Sequence, residues 1–466
     1  MRFRPLFAAT LFGSSALLSA LFALSCSSST YPNPVLTFNS GQESDTFNDV
    51  DHYVIERVDA NSNTKELLNT KKLPKTFDMG NTGTYAFVGT AYDSDGKVVA
   101  VGRTLMASPG DILGAEVPMF FARTDRATRP NGSFANALKQ NPVAAIYSYN
   151  YVWFFDDSSG NNIKTDAYSV AVWEQYSPPT QYSSIACAHV PCALKNVIVM
   201  GGVYVLVIGS DWALFIDTIQ SLGLEFKLPT ELSAWSDITG GRVLPGGDSS
   251  ALFVGGTRPT NPTKALLGFS KVGNYSYLST NTARAGAALL YEQDFGIVLV
   301  GGSSEGAGVE RMAYGSSGLA DSFSDVPYPA DPVEGAALVM EDKSHLLRVG
   351  GKNTDGSKAP TVRIDMGCTQ NCAYEPVPAL DVELYNAQSY YDIVTGETLV
   401  AGENTTGLTQ VYRYVSSGFV AIDFPDAQKR INALALELPN HQLAVIGGTD
   451  PQDSAASRTA LSVVAF

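Results

Sequence analysis

The feature that most constrains this chain is a glycine doublet that ends an apolar strand again and again. The clearest copies are Gly301-Gly302, which follows the apolar run 297–300, and Gly447-Gly448, which follows the run 443–446. In both copies a first apolar segment and a polar turn precede the strand, and a loop and a third strand follow it. Because such units bury their apolar faces only against their neighbours, the pattern predicts a repeat architecture.

The doublets, or the residues that replace them, recur at a nearly constant spacing. The other copies are Asp156-Asp157, Gly201-Gly202 (with Ile208-Gly209 as an alternative), Gly255-Gly256, Gly350-Gly351 and Ala401-Gly402. The first residues of the seven doublets are 156, 201, 255, 301, 350, 401 and 447, so the intervals are 45, 54, 46, 49, 51 and 46 residues. A period near 50 is typical of one four-stranded propeller blade.

The repeat resembles the kelch repeat, and the resemblance covers roughly residues 140–466. It implies an all-β fold whose main body is a seven-bladed kelch-like β-propeller, with six blades as the alternative. The aromatic residues that follow the doublet in kelch proteins are irregular here, so the chain is more similar to the Gly-Gly propellers of bacterial surface lipoproteins. We expect glycine at the doublet because the backbone must bend in a crowded turn without a Cβ.

Residues 35–115 lack the repeat and predict a separate small domain. The segment 52–58 alternates polar and apolar residues like a half-buried strand. Two further apolar runs, 83–92 and 97–102, flank a turn of Asp and Gly, which is the signature of a hairpin. This part resembles an immunoglobulin-like or fibronectin-like β-sandwich.

We assign residues 116–466 to the propeller. The last repeat ends after only three strands, whereas the apolar strand Val117–Ala122 has no partner within a repeat. We therefore expect this strand to complete the last blade and to cover its open edge.

The N-terminus predicts export. Arg2 and Arg4 precede an uncharged apolar run of 19 residues, Leu6–Leu24, and this order is typical of a secretory signal. The segment Ala23-Leu24-Ser25-Cys26 resembles a bacterial lipobox. The resemblance implies that residues 1–25 are a signal peptide, that Cys26 carries the lipid anchor, and that residues 26–34 form a tether. An uncleaved anchor is the alternative, since 19 apolar residues can span a bilayer.

The residue after the cysteine bears on the destination of the chain. It is Ser27 rather than Asp. By resemblance to Gram-negative lipoproteins, this implies an outer-membrane lipoprotein that faces the periplasm or the exterior. The only membrane contact expected is through the lipid.

The other four cysteines form two close pairs, Cys187 with Cys192 and Cys368 with Cys372. An even number in an oxidising compartment predicts two local disulfides. A single four-cysteine zinc site is the alternative. It is less favoured because 176 residues separate the two pairs.

The net charge of −15 argues against nucleic acid as a partner, because binding to phosphates relies on Lys and Arg. No catalytic site is expected, and no cysteine is spare for a galactose-oxidase type of copper site. His345 and His441 are interpreted as exposed turn residues rather than a metal pair. Arg284 and Arg430, each 17 residues before a doublet, are interpreted as caps of loop carbonyls rather than an anion site. We expect no cofactor, no metal and no enzymatic activity.

The loops that follow strand two open on one face of such a ring, and variable polar loops on a rigid scaffold are where propellers bind. They contain the candidate binding residues Arg258, Glu305, Lys352, Asn353, Asp355, Glu403, Asn404 and Asp450. The leading hypothesis is an envelope binding module for a protein or a glycan, and the few aromatic residues in these loops favour a protein. The alternatives are an enzyme that acts on envelope polysaccharide through carboxylates of this face, and a purely structural envelope protein.

Overall fold

The computed structural model describes residues 32–39, 47–80, 82–112, 114–130, 144–148, 151–156, 160–169, 174–176, 184–187, 191–194, 196–200, 204–209, 211–217, 222–225, 242–246, 250–254, 265–270, 275–282, 284–292, 295–302, 306–315, 318–319, 322–392, 395–416, 418–438, 440–457 and 461–466. Their regular structure is strands, with 3₁₀ turns at Pro109–Asp111, Pro378–Leu380 and Asp426–Gln428. Within these ranges, no helix has the length and apolar character needed to cross a membrane. The all-β class is confirmed.

The N-terminal domain is built from the first seven strands of the chain. They are β1 (Val35–Asn39), β2 (His52–Asp59), β3 (Thr64–Thr70), β4 (Thr76–Asp78), β5 (Tyr85–Tyr92), β6 (Val98–Arg103) and β7 (Glu116–Arg123). They form a single sheet in the order β3-β2-β5-β6-β7-β1-β4, in which β1 pairs with β7 on one side and β4 on the other.

This sheet curls until its distant strands meet. Phe77 of β4 packs edge-on against Phe87 of β5, with ring centroids 6.4 Å apart, although several strands separate β4 from β5 in the sheet. The sheet therefore encloses a single core, which includes the buried Leu36 and Phe121. Because β1 pairs with β7 on one side and with β4 on the other, a single curled sheet encloses the core. Two separate sheets were expected.

The remaining strands form seven successive antiparallel sheets in the described part of the chain, which we number blades 1 to 7. Blade 1 contains β8 (Ala144–Ser148), β9 (Tyr151–Asp156), β10 (Asn162–Ser169), β11 (Glu174–Tyr176) and β12 (Ser184–Ala186). Blade 2 contains β13 (Asn196–Met200), β14 (Tyr204–Ile208), β15 (Ala213–Asp217) and β16 (Leu222–Glu225). Blade 3 contains β17 (Arg242–Gly246), β18 (Ser250–Val254), β19 (Ala265–Ser270) and β20 (Tyr275–Ser279).

The last four blades follow the same order. Blade 4 contains β21 (Ala288–Glu292), β22 (Gly296–Val300), β23 (Val309–Met312), the hairpin of β24 (Tyr314–Gly315) and β25 (Gly318–Leu319), and β26 (Ser324–Val326). Blade 5 contains β27 (Glu334–Met340), β28 (His345–Lys352), β29 (Val362–Asp365) and β30 (Glu375–Pro376). Blade 6 contains β31 (Tyr385–Asp392), β32 (Glu397–Glu403), β33 (Thr409–Val415) and β34 (Gly418–Ala421). Blade 7 contains β35 (Leu434–Leu438), β36 (Gln442–Ile446), the hairpin of β37 (Thr449–Asp450) and β38 (Asp453–Ser457), and β39 (Ser462–Ala465).

The blades close into a ring. The first strand of one blade contacts the first strand of the next from blade 1 to blade 6, and β35 of blade 7 returns to β8 of blade 1. Val152 and Phe154 of blade 1 share a buried core with Ala444 and Ile446 of blade 7. This contact between the first and last blades makes the ring seven-bladed.

The structure corrects the role expected of the strand at 117–122. This strand, β7, pairs with β6 and β1 in the N-terminal sheet, and Thr128 pairs with Val463 of blade 7 instead, through two backbone hydrogen bonds of 2.8 Å. The reason lies in the alternation of β7, which is buried on both faces: Phe121 enters the N-terminal core, whereas Phe120 enters the core shared by blades 7 and 1. The boundary expected at residue 116 therefore falls inside the N-terminal sheet.

Both predicted disulfides are present. Cys187 and Cys192 are joined with their Cα atoms 5.4 Å apart, and Cys368 and Cys372 with their Cα atoms 5.9 Å apart. The first bridge is also held from blade 2, since the indole nitrogen of Trp212 donates to the carbonyl of Cys192 at 2.9 Å. The alternative of a shared zinc site is excluded by this pairing.

The two matched arginines cap carbonyls, as expected. Arg284 and Arg430 are each only 1% exposed. Arg284 donates to the carbonyls of Gly301 and Gly308, and Arg430 donates to that of Gly447. Each guanidinium therefore satisfies a carbonyl at the glycine doublet that ends strand two of its own blade, and Arg284 also satisfies one directly before strand three.

Candidate functional site

A polar cavity of about 360 Å³ lies between blades 5 and 6, on the face where strand two ends. Its lining consists of Glu334, Lys352, Gly356, Tyr385, Asn386, Glu403, Asn404, Thr405 and Gly407. Three of the eight predicted binding residues, Lys352, Glu403 and Asn404, thus lie around one cavity. The packing of blade 5 against blade 6 brings Lys352 to the other two, from which it is separated by a whole repeat along the chain.

Four of the lining residues come from equivalent places in the two blades. Glu334 begins β27 and lies opposite Lys352 at the end of β28. Tyr385 begins β31 and lies opposite Glu403 at the end of β32. Residues directly opposite in an antiparallel pair hold their side chains close together, so each blade presents one cross-strand pair to the cavity.

The loops that border the cavity are fixed by their own side chains. The carboxamide oxygen of Asn404 accepts hydrogen bonds from the backbone amides of Thr406 and Leu408 at 2.9 and 3.0 Å. The amide of Thr405 donates to a carboxylate oxygen of Glu383 at 3.1 Å. In blade 5 the carboxylate of Asp355 accepts from the backbone amide of Ser357 at 2.9 Å. These bonds give the cavity a preformed wall.

Glu403 is a carboxyl group of the cavity wall. Its side chain is half-buried, and burial raises its pKa above the ordinary range. The carboxamide nitrogen of Asn386 donates to it at 3.3 Å, which lowers the pKa only in part. Asn386 has a φ of +50° at the start of β31, where it replaces the glycine found in blades 4 and 5.

The other predicted residues lie elsewhere. Asn353 and Asp355 belong to the loop after β28 but not to the cavity lining. Asp450 lies in the small hairpin of blade 7, where it accepts a hydrogen bond from the amide of Gln452 at 2.8 Å. Arg258, Glu305 and Cys26 are outside the described residues.

The two histidines of the turns are not simply exposed. His345 contacts Asp342 at 2.9 Å within its own turn. His441 contacts the buried Asp392 of the neighbouring blade at 2.8 Å. Each ring is thus held by a different carboxylate. The described residues contain no group of three or more His, Cys, Asp or Glu side chains placed to hold a metal ion.

Glu334, Tyr385 and Asn386 were not predicted, because binding residues were expected only in the loops after strand two. The order of strands in the repeat nevertheless predicts their position. In an antiparallel blade the start of strand one lies opposite the end of strand two, so the residues at the start of each repeat belong to the same face.

Comparisons with known proteins add little. No family model matches this chain. No curated protein matches it. Among solved structures, the N-terminal domain of Nup159 is similar, with a TM-score of 0.39 and 9% sequence identity, over 71% of this chain and 99% of that domain. The propeller fold follows instead from the strand pairing and ring closure of this chain.

Proposed function

We propose that this protein is a cell-envelope lipoprotein with a kelch-like propeller, and that it captures its ligand in the cavity between blades 5 and 6. The observation that carries the proposal is the convergence of Lys352, Glu403 and Asn404 on one cavity. A preformed cleft with a few convergent polar groups on a rigid scaffold is the usual form of a binding site.

The test is capture of ligands by the detergent-solubilised full chain from envelope extracts and from a glycan array. Lys352→Glu and Glu403→Lys should each weaken capture at least about tenfold, because a few central residues dominate such sites. Glu116→Lys is the matched control, since Glu116 is exposed on the N-terminal domain. Unchanged capture by both cavity variants, with unchanged melting temperature, would refute the site.

The second candidate is hydrolysis of an envelope polysaccharide, and a specific observation favours it. Two carboxyl groups, Glu334 and Glu403, line one cavity, and burial raises the pKa of Glu403. Glycosidases use two carboxyl groups that flank the scissile bond, and the one that acts as the acid has a raised pKa. Turnover of a polysaccharide that is abolished by Glu334→Gln and by Glu403→Gln, but not by Glu116→Gln, would favour the enzyme over the binding module.

The lipid anchor needs a separate test, because Cys26 lies outside the described residues. We expect Cys26→Ala to move the protein from the membrane pellet to the soluble fraction and to remove the acyl mass from its N-terminus. Retention in the pellet without acylation would favour the uncleaved anchor.

A further inference from the structure

The two carboxyl groups of the cavity differ in the residue that lies across the strands from each. Glu334 lies directly across the strands from Lys352, so its negative charge has a positive charge at the opposite position. The residue across from Glu403 is Tyr385, which is neutral. The lining residues of the cavity supply two carboxyl groups, those of Glu334 and Glu403, and one ammonium group, that of Lys352.

Glu403 therefore has no cationic residue at the opposite strand position. Its hydrogen bond from Asn386 is long, at 3.3 Å, and no ion pair reaches it from the described residues. A half-buried carboxyl of this kind gains more than an exposed one from an incoming cation, because electrostatic attraction is stronger where water is excluded. The raised pKa of Glu403 has the same cause.

The neutral lining residues determine which uncharged part of a ligand fits the cavity. Asn386, Asn404 and Thr405 present amide and hydroxyl groups, and Tyr385 presents a phenol with an aromatic ring. One carboxamide atom of Asn386 and one of Asn404 are already hydrogen-bonded within the wall. The other carboxamide atom of each can pair with a ligand hydroxyl, whereas the aliphatic stem of a lysine side chain offers no such partner. The wall therefore fits a polyol better than an alkyl chain.

We propose that the cavity binds a sugar that carries a free amino group, with the ammonium on Glu403 and the sugar hydroxyls on the amide and hydroxyl groups of blades 5 and 6. This inference rests on the proposed binding function and names its ligand class. A sugar whose amine is acetylated has no charge for Glu403 and should bind much more weakly.

The experiment is calorimetric titration of the full chain with glucosamine disaccharide, with the N-acetylated disaccharide of the same linkage, and with dilysine. We expect the amino sugar to bind at least about tenfold more tightly than either comparison ligand, and Glu403→Gln to remove that preference, since a charged hydrogen bond contributes about 1.5–3 kcal/mol. Glu116→Gln should leave it unchanged, which excludes general attraction of cations to an acidic protein.

The outcomes distinguish a wrong ligand class from a wrong binding function. Equal binding of the acetylated sugar, kept in Glu403→Gln, overturns the ammonium assignment and leaves the cavity as a glycan site. Equal binding of dilysine that is lost in Glu403→Gln identifies a lysyl group and overturns the sugar. Failure of all three ligands, while Lys352→Glu still abolishes capture from envelope extract, overturns the ligand class alone. Failure of both experiments overturns the binding function itself.

Discussion

The backbone amide of Gly351 donates a 2.6 Å hydrogen bond to the carbonyl of Leu384, and this bond joins blade 5 to blade 6. The equivalent bond, from Gly302 to Val333 at 2.9 Å, joins blade 4 to blade 5. Gly350 makes the approach possible, because its φ is +69° and a Cβ there would lie 2.5 Å from the Leu384 oxygen. The glycine doublet is therefore a joint between blades as well as a bend at the end of a strand.

Gly350→Ala should strongly destabilise the propeller. A left-handed alanine costs about 1–2 kcal/mol, and the collision with a backbone oxygen that cannot rotate away raises the expected loss above about 3 kcal/mol. The control is Gly396→Ala, where φ is +71° but nothing lies within 4 Å of the added Cβ, so only the backbone penalty applies. Denaturant unfolding measures both variants. Equal losses would contradict the role of the doublet as a joint.

Glu310→Gln should be the most damaging single charge change in blade 4. Glu310 is fully buried, pairs with Arg284 at 2.7 Å, and accepts the backbone amides of Asn281 and Thr282. Removing one partner leaves the buried guanidinium uncompensated, which costs about 3–5 kcal/mol. Glu375→Gln removes an ion pair whose carboxylate is 63% exposed and should cost less than about 1 kcal/mol. Similar unfolding free energies for the two variants would argue against the buried pair.

The double substitution Cys187→Ser with Cys192→Ser should lower the unfolding free energy by about 2 kcal/mol, since the bridge closes a short loop. Mass spectrometry after alkylation without reductant should find no label on either cysteine of the native chain. Reductant should destabilise the native chain more than the double variant, which retains only the Cys368–Cys372 bridge. Alkylation of Cys187 in the native chain would contradict the bridge.

The stability of the protein should fall as the pH rises towards neutrality, in part because of Glu437. This residue is exposed, yet the surrounding protein desolvates its carboxyl group and raises its pKa to about 7, with a further rise from the buried Asp392 and a smaller opposing effect from His441. The folded state thus holds a proton that the unfolded chain, with a pKa of about 4.3, has already lost. This contribution is complete below that value and disappears as the pH passes through 7.

Urea midpoints at pH 4.5, 6 and 7.5 test this prediction. Glu437→Gln should flatten the decline, while Glu116→Gln should keep the slope of the native chain. Arg103 is a further charged group that interacts with Asp392, and it is unchanged in all three proteins. An unchanged slope in Glu437→Gln would assign the decline to other groups.

Only part of the cavity lining could be predicted from the sequence. Lys352, Glu403 and Asn404 were identified because they follow a recognisable strand end, and the structure places them around one cavity. Asp450 follows the same signal in blade 7 but lies in a separate hairpin. The sequence pattern marks the end of a strand in each repeat, but it does not report which two neighbouring blades leave space between them.

The contact between blades 1 and 7 decided for seven blades over the alternative of six. The sequence by itself determined the period of the repeat, the two close cysteine pairs and the position of the glycine doublet. All of these are properties of one unit or of a short segment, and local spacing records them. Only the tertiary structure decided that β7 is shared between two cores, that one curled sheet encloses the N-terminal core, and that Glu334 and Glu403 face the same cavity. These relationships join residues far apart in the chain. They depend on register and ring closure, which no local pattern encodes.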